Sequence, residues 1–396
     1  MGSRSQTNLK GSARLGNYLR RLRTGYGYSL RRVEERARAE GGEIDNSQLS
    51  RYEKGVCYPS FDKLRVLSSV LNVPIQAFSD VVDLEAYEHL KPETGDPATL
   101  LEEGREALQA GDTPRAFACY ERALEILEEQ PRTAETALLA ARTRIALALA
   151  LHRLGKLSLA EQELRAALRS PEPLKDGPLM AQAILNLANV HADQGDLMLA
   201  EVEAEKALAE AERQRHVLLS ARSLHTLGRV MAERGEHATA IERYRAAANL
   251  YERSGDTYEA IRIRLNSGGC YVMMGKVREG IRLLRTALGD ARSGGYKRQQ
   301  SHAWSYLGEA YYRLRDYERA RKCLRESDTL ASADEPYADL MFLNAFYDWK
   351  MAEKEDNPTR EKIAFGRLKA LRSGLERRFP EVEAFDAYVE RGRRHA

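Results

Sequence analysis

A glycine and two small residues return at fixed offsets down most of the chain: Gly111, Ala116, Ala123; Gly155, Ala160, Ala167; Gly195, Ala200, Ala207; Gly235, Ala240, Ala247; Gly275, Gly280, Ala287. Successive glycines lie 44 residues apart once and 40 apart three times. A period of this size marks a stacked repeat array, in which each unit hides its apolar face only against its neighbours. Most of the 396 residues therefore cannot share one closed core. The first ninety stand outside the array and read as a small basic helical domain.

Within each unit an aliphatic residue and a small one precede the glycine by a constant interval, as in Leu187-Ala188 before Gly195 and Leu227-Gly228 before Gly235. Leu307-Gly308 stands in the same relation to Arg315, which takes the glycine's place. Ala116, Tyr120 and Ala123 follow in the first unit, and Ala240, Tyr244 and Ala247 in a later one. Gly111-Asp112, Gly195-Asp196, Gly235-Glu236, Gly275-Lys276 and Arg315-Asp316 mark the turns. The pattern resembles the tetratricopeptide repeat, a helical hairpin whose small residues let its two helices touch. Six units start near residues 97, 141, 181, 221, 261 and 301, a degenerate seventh covers roughly 337–378, and a helix from Glu381 caps the end. The usual unit is about 34 residues, so this version carries about six more, expected as longer helices.

Charge separates the chain's two parts. Residues 1–79 hold 14 Lys/Arg against 7 Asp/Glu, and the remainder 48 against 52, so the basic end is where a polyanion would bind. Leu15, Leu19 and Leu22, with Arg20, Arg21 and Arg23 between them, predict a first helix that ends at Gly25-Tyr26-Gly27-Tyr28. Ser29 caps a second, with Leu30, Val33 and Ala37 on one stripe and Gly41-Gly42 closing it. Asp45 caps a third that runs from Asn46 to Lys54 and stops at Gly55. Pro59-Ser60 opens a fourth around Phe61, Leu64, Leu67 and Leu71, and Pro74 is expected in the first turn of a fifth.

The run Gln48-Leu49-Ser50-Arg51-Tyr52-Glu53-Lys54-Gly55, with Pro59-Ser60, Leu64, Leu67, Leu71 and Val73-Pro74, resembles the Cro/C1 repressor-type helix-turn-helix domain of the XRE family. The resemblance implies that the third helix enters the major groove of double-stranded DNA. Asn46, Ser47 and Arg51 then become the base readers, Gln48 and Lys54 lie nearer phosphates, and Leu49 and Tyr52 are core. Arg51 suits a guanine edge and Asn46 an adenine. Three departures stand out. The connection through Arg38-Ala39-Glu40-Gly41-Gly42-Glu43 is longer than usual, Glu34 replaces a small alanine, and Leu30 replaces a phosphate-gripping glutamine, a role left to Arg31 or Arg32.

In tetratricopeptide arrays the first helix of each hairpin lines the concave face. Carried over unit by unit, that implies Arg142 and Arg153; Gln182, Asn186 and Asn189; Arg222, His225, Thr226 and Arg229; Arg262 and Asn266; His302, Tyr306 and Arg313. This amide-rich, basic lining suits an extended peptide with an acidic side chain or a free carboxyl end. Tyr251, Tyr271 and Tyr311-Tyr312 are expected in packing.

The expected chain is all-α: a flexible N-terminus (1–12), a five-helix helix-turn-helix domain (13–80), a linker helix and linker (81–97), a right-handed tetratricopeptide superhelix (98–378) and a C-terminal capping helix with a basic tail (379–396). This order resembles the bacterial peptide-sensing transcriptional regulators of the RRNPP group. It implies a homodimer that binds double-stranded DNA and takes a peptide or protein ligand in its groove. The alternative is an interaction adaptor whose helix-turn-helix contacts protein rather than DNA. No HExxH, GxxxxGK[ST] or GxSxG motif is present, so neither catalysis, a metal nor a cofactor is expected. Cys57, Cys119, Cys270 and Cys323 are far apart, as reduced buried thiols would be. A polar start and the absence of a long apolar run point to a cytoplasmic protein without a membrane span.

Overall fold

The computed structural model describes residues 11–93, 95–169, 176–332, 337–375 and 378–394, and every regular element among them is a helix. Most of the expected flexible N-terminus, residues 1–10, lies outside the described residues, as does Thr94 of the linker. Two compact units divide the chain, residues 1–163 and 164–396.

The N-terminal unit begins with α1 (Ala13–Gly25), α2 (Leu30–Ala39), α3 (Asn46–Glu53), α4 (Phe61–Leu71) and α5 (Gln76–Asp83), followed by a 3-10 turn, Leu84–Leu90. Side-chain caps set the starts of the first three: Ser12 Oγ accepts from Leu15 N–H, Ser29 Oγ from Arg32 N–H and Asp45 Oδ1 from Gln48 N–H, each typically worth about 1 kcal/mol. Pro74 stands just ahead of α5 rather than in its first turn; its carbonyl accepts from Ala77 N–H as the helix begins. Leu19, Val33, Ala37, Leu49, Leu67 and Phe78 form the core of this head. Gly16 lets α1 lie against α3, since a Cβ there would sit 2.6 Å from the Glu53 carbonyl oxygen. The unit continues into the first hairpin, α6 (Pro97–Gln109) with α7 (Thr113–Glu129), and the second, α8 (Ala134–Arg153) with α9 (Leu157–Arg169).

The C-terminal unit takes up the array with α10 (Gly177–Gln194) and α11 (Leu197–Arg213), α12 (Val217–Glu233) and α13 (His237–Ser254), α14 (Thr257–Met273) and α15 (Val277–Ser293), and α16 (Lys297–Arg313) and α17 (Tyr317–Ala331). The degenerate unit is α18 (Ala338–Lys354) with α19 (Pro358–Arg372), and α20 (Pro380–Arg394) closes the array. The repeated glycine turns each hairpin in the left-handed conformation, as at Gly195 and Gly235. Arg315 adopts the same conformation at φ 60° where glycine is missing. The small residue on the facing helix works as expected: a Cβ on Gly228 would lie 2.5 Å from the Tyr244 ring.

Aromatic side chains anchor the far end. Phe342, Trp349, Phe365 and Phe385 meet edge to face or tilted, with Phe385 of α20 lying 5.8 Å from Phe342 and 5.4 Å from Phe365 between ring centres. The strand of chain entering α20 also reaches back to the end of α10, where Arg378 N–H donates to the Asp193 carbonyl at 2.9 Å. Beside it, Tyr347 OH donates to Glu381 at 2.9 Å while Arg313 pairs with buried Glu309 at 2.9 Å. Cys119, Cys270 and Cys323 are buried free thiols; Cys57 is only half-buried. No helix among the described residues is long and apolar enough to cross a membrane.

Candidate nucleic-acid interface and repeat groove

The third helix presents one polar face. Leu49 and Tyr52 turn into the head, and Asn46, Ser47, Arg51 and Lys54 are exposed. Arg51 has no ion pair or hydrogen bond among the described residues, so its guanidinium fork is available. Gln48, at the position after Ser47, is less open. It is half-buried, with Oε1 shut away from solvent. Arg31 and Arg32 are exposed and lie within 4.0 Å and 3.0 Å of Glu35, one turn along α2, so their positive field is partly offset.

Two of the departures from the family pattern now have a physical account. Glu34 accepts from Asn46 N–H at 3.3 Å, so the carboxylate that replaces a small residue joins α2 to the first turn of α3. The lengthened connection lies against α4. Gly42 sits where a Cβ would strike Val66, Lys63 Nζ donates to the Glu43 carbonyl, and Ser69 Oγ donates to Glu40 at 2.9 Å.

The head is packed against the first two hairpins of its own unit. Tyr18 OH donates to Gln162 at 2.9 Å, and burial pushes that phenol up to about 12. Lys156 bridges buried Asp80 at 3.2 Å and Asp83 at 2.7 Å. Arg14 pairs with Glu88 and Glu121 and lies 5.3 Å from the Phe117 ring centre. A cavity of about 410 Å³ remains between them, floored by Tyr18, Leu84, Phe117 and Leu147 and rimmed by carboxylates.

In the C-terminal unit the groove residues form two networks. Asn189 Oδ1 accepts from Thr226 Oγ1 at 3.1 Å and Arg229 at 3.2 Å, and Arg229 also pairs with Asp193. One repeat on, Arg262 donates to His225 Nδ1 at 2.9 Å and pairs with Glu259 at 2.6 Å. Asn266 Nδ2 stands 2.9 Å from the other ring nitrogen, Nε2. Burial, with the charges of Arg262, Arg229 and Arg222 behind it, holds the His225 pKa well below its ordinary value.

Several expected lining residues serve the scaffold instead. His225 and Thr226 are buried behind the groove surface. Arg142 and Arg153 belong to the N-terminal unit, where Arg153 donates to the Leu108 carbonyl at 3.0 Å. Arg313 pairs with Glu309. His302 and Tyr306 meet ring to ring at 4.3 Å, and Tyr306 covers Gly269. Gln182 is half-buried, Asn186 is buried with its amide nitrogen unmatched, and Arg222 is half-buried. Glu259 and Tyr251 were not anticipated as site residues. Glu259 could have been found from its spacing, one turn before Arg262 on the same helix; Tyr251 lies on a second helix and left no signal beyond packing.

Residues 19–78 match the helix-turn-helix family, and residues 101–173, 179–253 and 301–327 match tetratricopeptide repeat families. The chain thus joins a helix-turn-helix module to tetratricopeptide repeats. No curated protein matches it in sequence. Among solved structures it resembles a Rap protein complexed with competence and sporulation factor (16% identity, 91% of this chain and 99% of the other, TM-score 0.58). It also resembles aspartyl phosphate phosphatase F from Bacillus subtilis (14%, 96% and 98%, 0.56) and NprR in complex with its cognate peptide NprX (17%, 74% and 88%, 0.50). At these identities the likeness is one of fold.

Proposed function

We propose that a chain built from these two modules is a sequence-specific DNA-binding transcriptional regulator whose repeat groove takes a peptide or protein partner and thereby changes DNA binding. The observation that carries the DNA half is the face of α3, where unpaired Arg51 and Asn46 are both exposed on a helix whose opposite side is core. The helix-turn-helix match over residues 19–78 supports the same reading. For the groove, support comes from its amide and guanidinium lining and from the fold likeness to NprR, which was solved with a peptide.

The regulator acts as a homodimer on two half-sites about one helical turn apart, roughly 34 Å. A groove ligand alters DNA binding only if it favours one arrangement of the chain over another. The head's packing on the first two hairpins offers a direct route, because movement of α7 or α9 carries the Arg14, Tyr18 and Asp80 contacts with it.

Selection of the full chain against random duplexes, beside an Arg51→Ala, Asn46→Ala variant, tests the reading. An enriched two-fold motif that the variant loses supports it. If the chain enriches nothing at low salt, the adaptor alternative takes its place.

A further inference from the structure

In the groove, the first helices of adjacent repeats meet at a constant spacing: Asp193 reaches Arg229, and Asn189 reaches Thr226 and Arg229. His225 reaches Arg262 and Asn266 in the next pair. The same spacing that joins Asp193 to Arg229, taken two turns earlier on both helices, puts Asn186 in register with Arg222. Yet the two pairs differ in chemistry. Arg229 has an aspartate, whereas the residue in register with Arg222 is an amide, and Arg222 has neither an ion pair nor a hydrogen bond among the described residues.

Several polar groups around it are buried without a partner. The Asn186 amide nitrogen, the Tyr251 hydroxyl and Arg262 Nε are buried donors without a hydrogen-bond partner, and Glu259 Oε2 is a buried acceptor without one. Asn186 and Tyr251 are themselves 6% and 1% exposed, so water does not readily replace what is missing. Arg222, Arg262 and Glu259 all act on the Tyr251 hydroxyl, which places the four groups in one neighbourhood. Asp256 also acts on Tyr251 but caps α14 by accepting from Glu259 N–H, and Glu259, the carboxylate that acts on Arg222, already stands 2.6 Å from Arg262. Arg222 is thus left without a carboxylate of its own. Burial depresses the Arg222 pKa, the direction an unpaired guanidinium takes. Arg229 with Asp193 and Arg313 with Glu309 have no such deficit.

We propose that Arg222, Asn186, Tyr251 and Arg262 form a subsite for one carboxylate of the groove ligand. This deepens the reading of the groove as a peptide site and rests on it. The carboxylate lies across the Arg222 fork in two parallel N–H···O bonds, and its remaining lone pairs accept from the Asn186 amide and the Tyr251 hydroxyl. A monoanion matches the one charge of Arg222, whereas a phosphate dianion would leave one negative charge in a half-buried site. The carboxylate can be a peptide's C-terminus or an Asp or Glu side chain, and the two sources are separable.

The full chain is challenged with two pools of random hexapeptides, one ending in a free acid and one in an amide, and retained peptides are identified by mass spectrometry. Enrichment confined to the free-acid pool assigns the subsite to the chain end. Enrichment of Asp or Glu at one position in both pools assigns it to a side chain. In either case Arg222→Met weakens the best peptide by about 30-fold or more, as loss of one partner from a buried charge pair does. Hydrogen exchange on the unsubstituted chain should show that peptide protecting α10, α12 and α14. Peptides that protect these helices but bind equally well as amides without acidic residues overturn the subsite and leave the groove reading standing. Absence of any retained peptide from both pools overturns both. The acid-against-amide comparison uses the unsubstituted chain, so it decides the matter even if Arg222→Met does not fold.

Discussion

Arg23 at the end of α1 and Glu53 at the end of α3 meet fork to fork, Nε to Oε1 at 2.6 Å and Nη2 to Oε2 at 2.9 Å, while Arg23 Nη1 donates to the Tyr28 carbonyl at 2.7 Å. Their side chains are only 14% and 7% exposed, so the pair fixes the helix that bears the proposed base readers. Arg23→Ala leaves Glu53 charged and shielded, and is expected to remove about 3 kcal/mol of stability from the head. Denaturant unfolding of the variant checks this; a loss below about 0.5 kcal/mol, the scale of a surface pair, would show that the contact positions nothing.

On DNA, the two kinds of contact separate by salt. Arg51→Ala should weaken the selected site by about 1–3 kcal/mol and relax one base position. Lys54→Ala should weaken all sequences alike and lower the slope of log affinity against log salt by about one unit. Titrations at several salt concentrations measure both, and a sequence-specific effect from Lys54 would reverse the assignment of the two residues.

Lys156 holds α5 through a carboxylate that is fully buried. In Lys156→Met, Asp80 keeps Gln76 at 3.1 Å but loses its ion pair, a change expected to destabilise the contact between head and hairpins by about 3 kcal/mol. Amide exchange in α5 should accelerate more than exchange in α4. Equal exchange in both helices would mean that the apolar contacts alone hold the head.

The Glu309, Glu381 and Tyr347 cluster carries a pH dependence. Burial, followed by the repulsion of Glu309, lifts Glu381 to about 7; burial also raises Glu309, against the pull of Arg313. A carboxyl with a raised pKa keeps its proton in the folded state after the unfolded chain has lost it. Its penalty on stability is therefore absent below the unfolded value, grows as pH rises towards 7, and is complete above it. Glu381→Gln keeps an acceptor for Tyr347 and should stabilise the C-terminal unit by about 2 kcal/mol at pH 8, with little change at pH 4.5. Melting curves at the two pH values check the sign.

Repeat period, hairpin turns and helix caps were legible because each is written in local spacing: Asp45, Ser29, Gly195 and Gly228 all do what their neighbours in sequence imply. The exposed face of α3 was legible for the same reason. What the period does not encode is where two helices far apart in sequence place their charges. Thus His225 read as a lining residue but is buried by Tyr244 and held by Arg262, and Arg153 read as a ligand contact but joins two first helices of the N-terminal unit. The docking of α1 and α5 on the first hairpins lies outside any repeat rule, since Tyr18 and Gln162 meet across 144 positions of chain. Glu34 looked like a defect in a family pattern until its acceptor role at Asn46 was visible.

The bond from Arg378 N–H to the Asp193 carbonyl changes the mechanics of the C-terminal unit. In an ordinary array each repeat touches only its neighbours, so the stack stretches like an open spring and can fray one turn at a time. Here the last segment is fastened to the first helix of the unit, at the backbone of the same aspartate whose side chain holds Arg229. A change of pitch anywhere between α10 and α20 must strain or release that fastening. The intervening repeats are therefore held to move together rather than one by one.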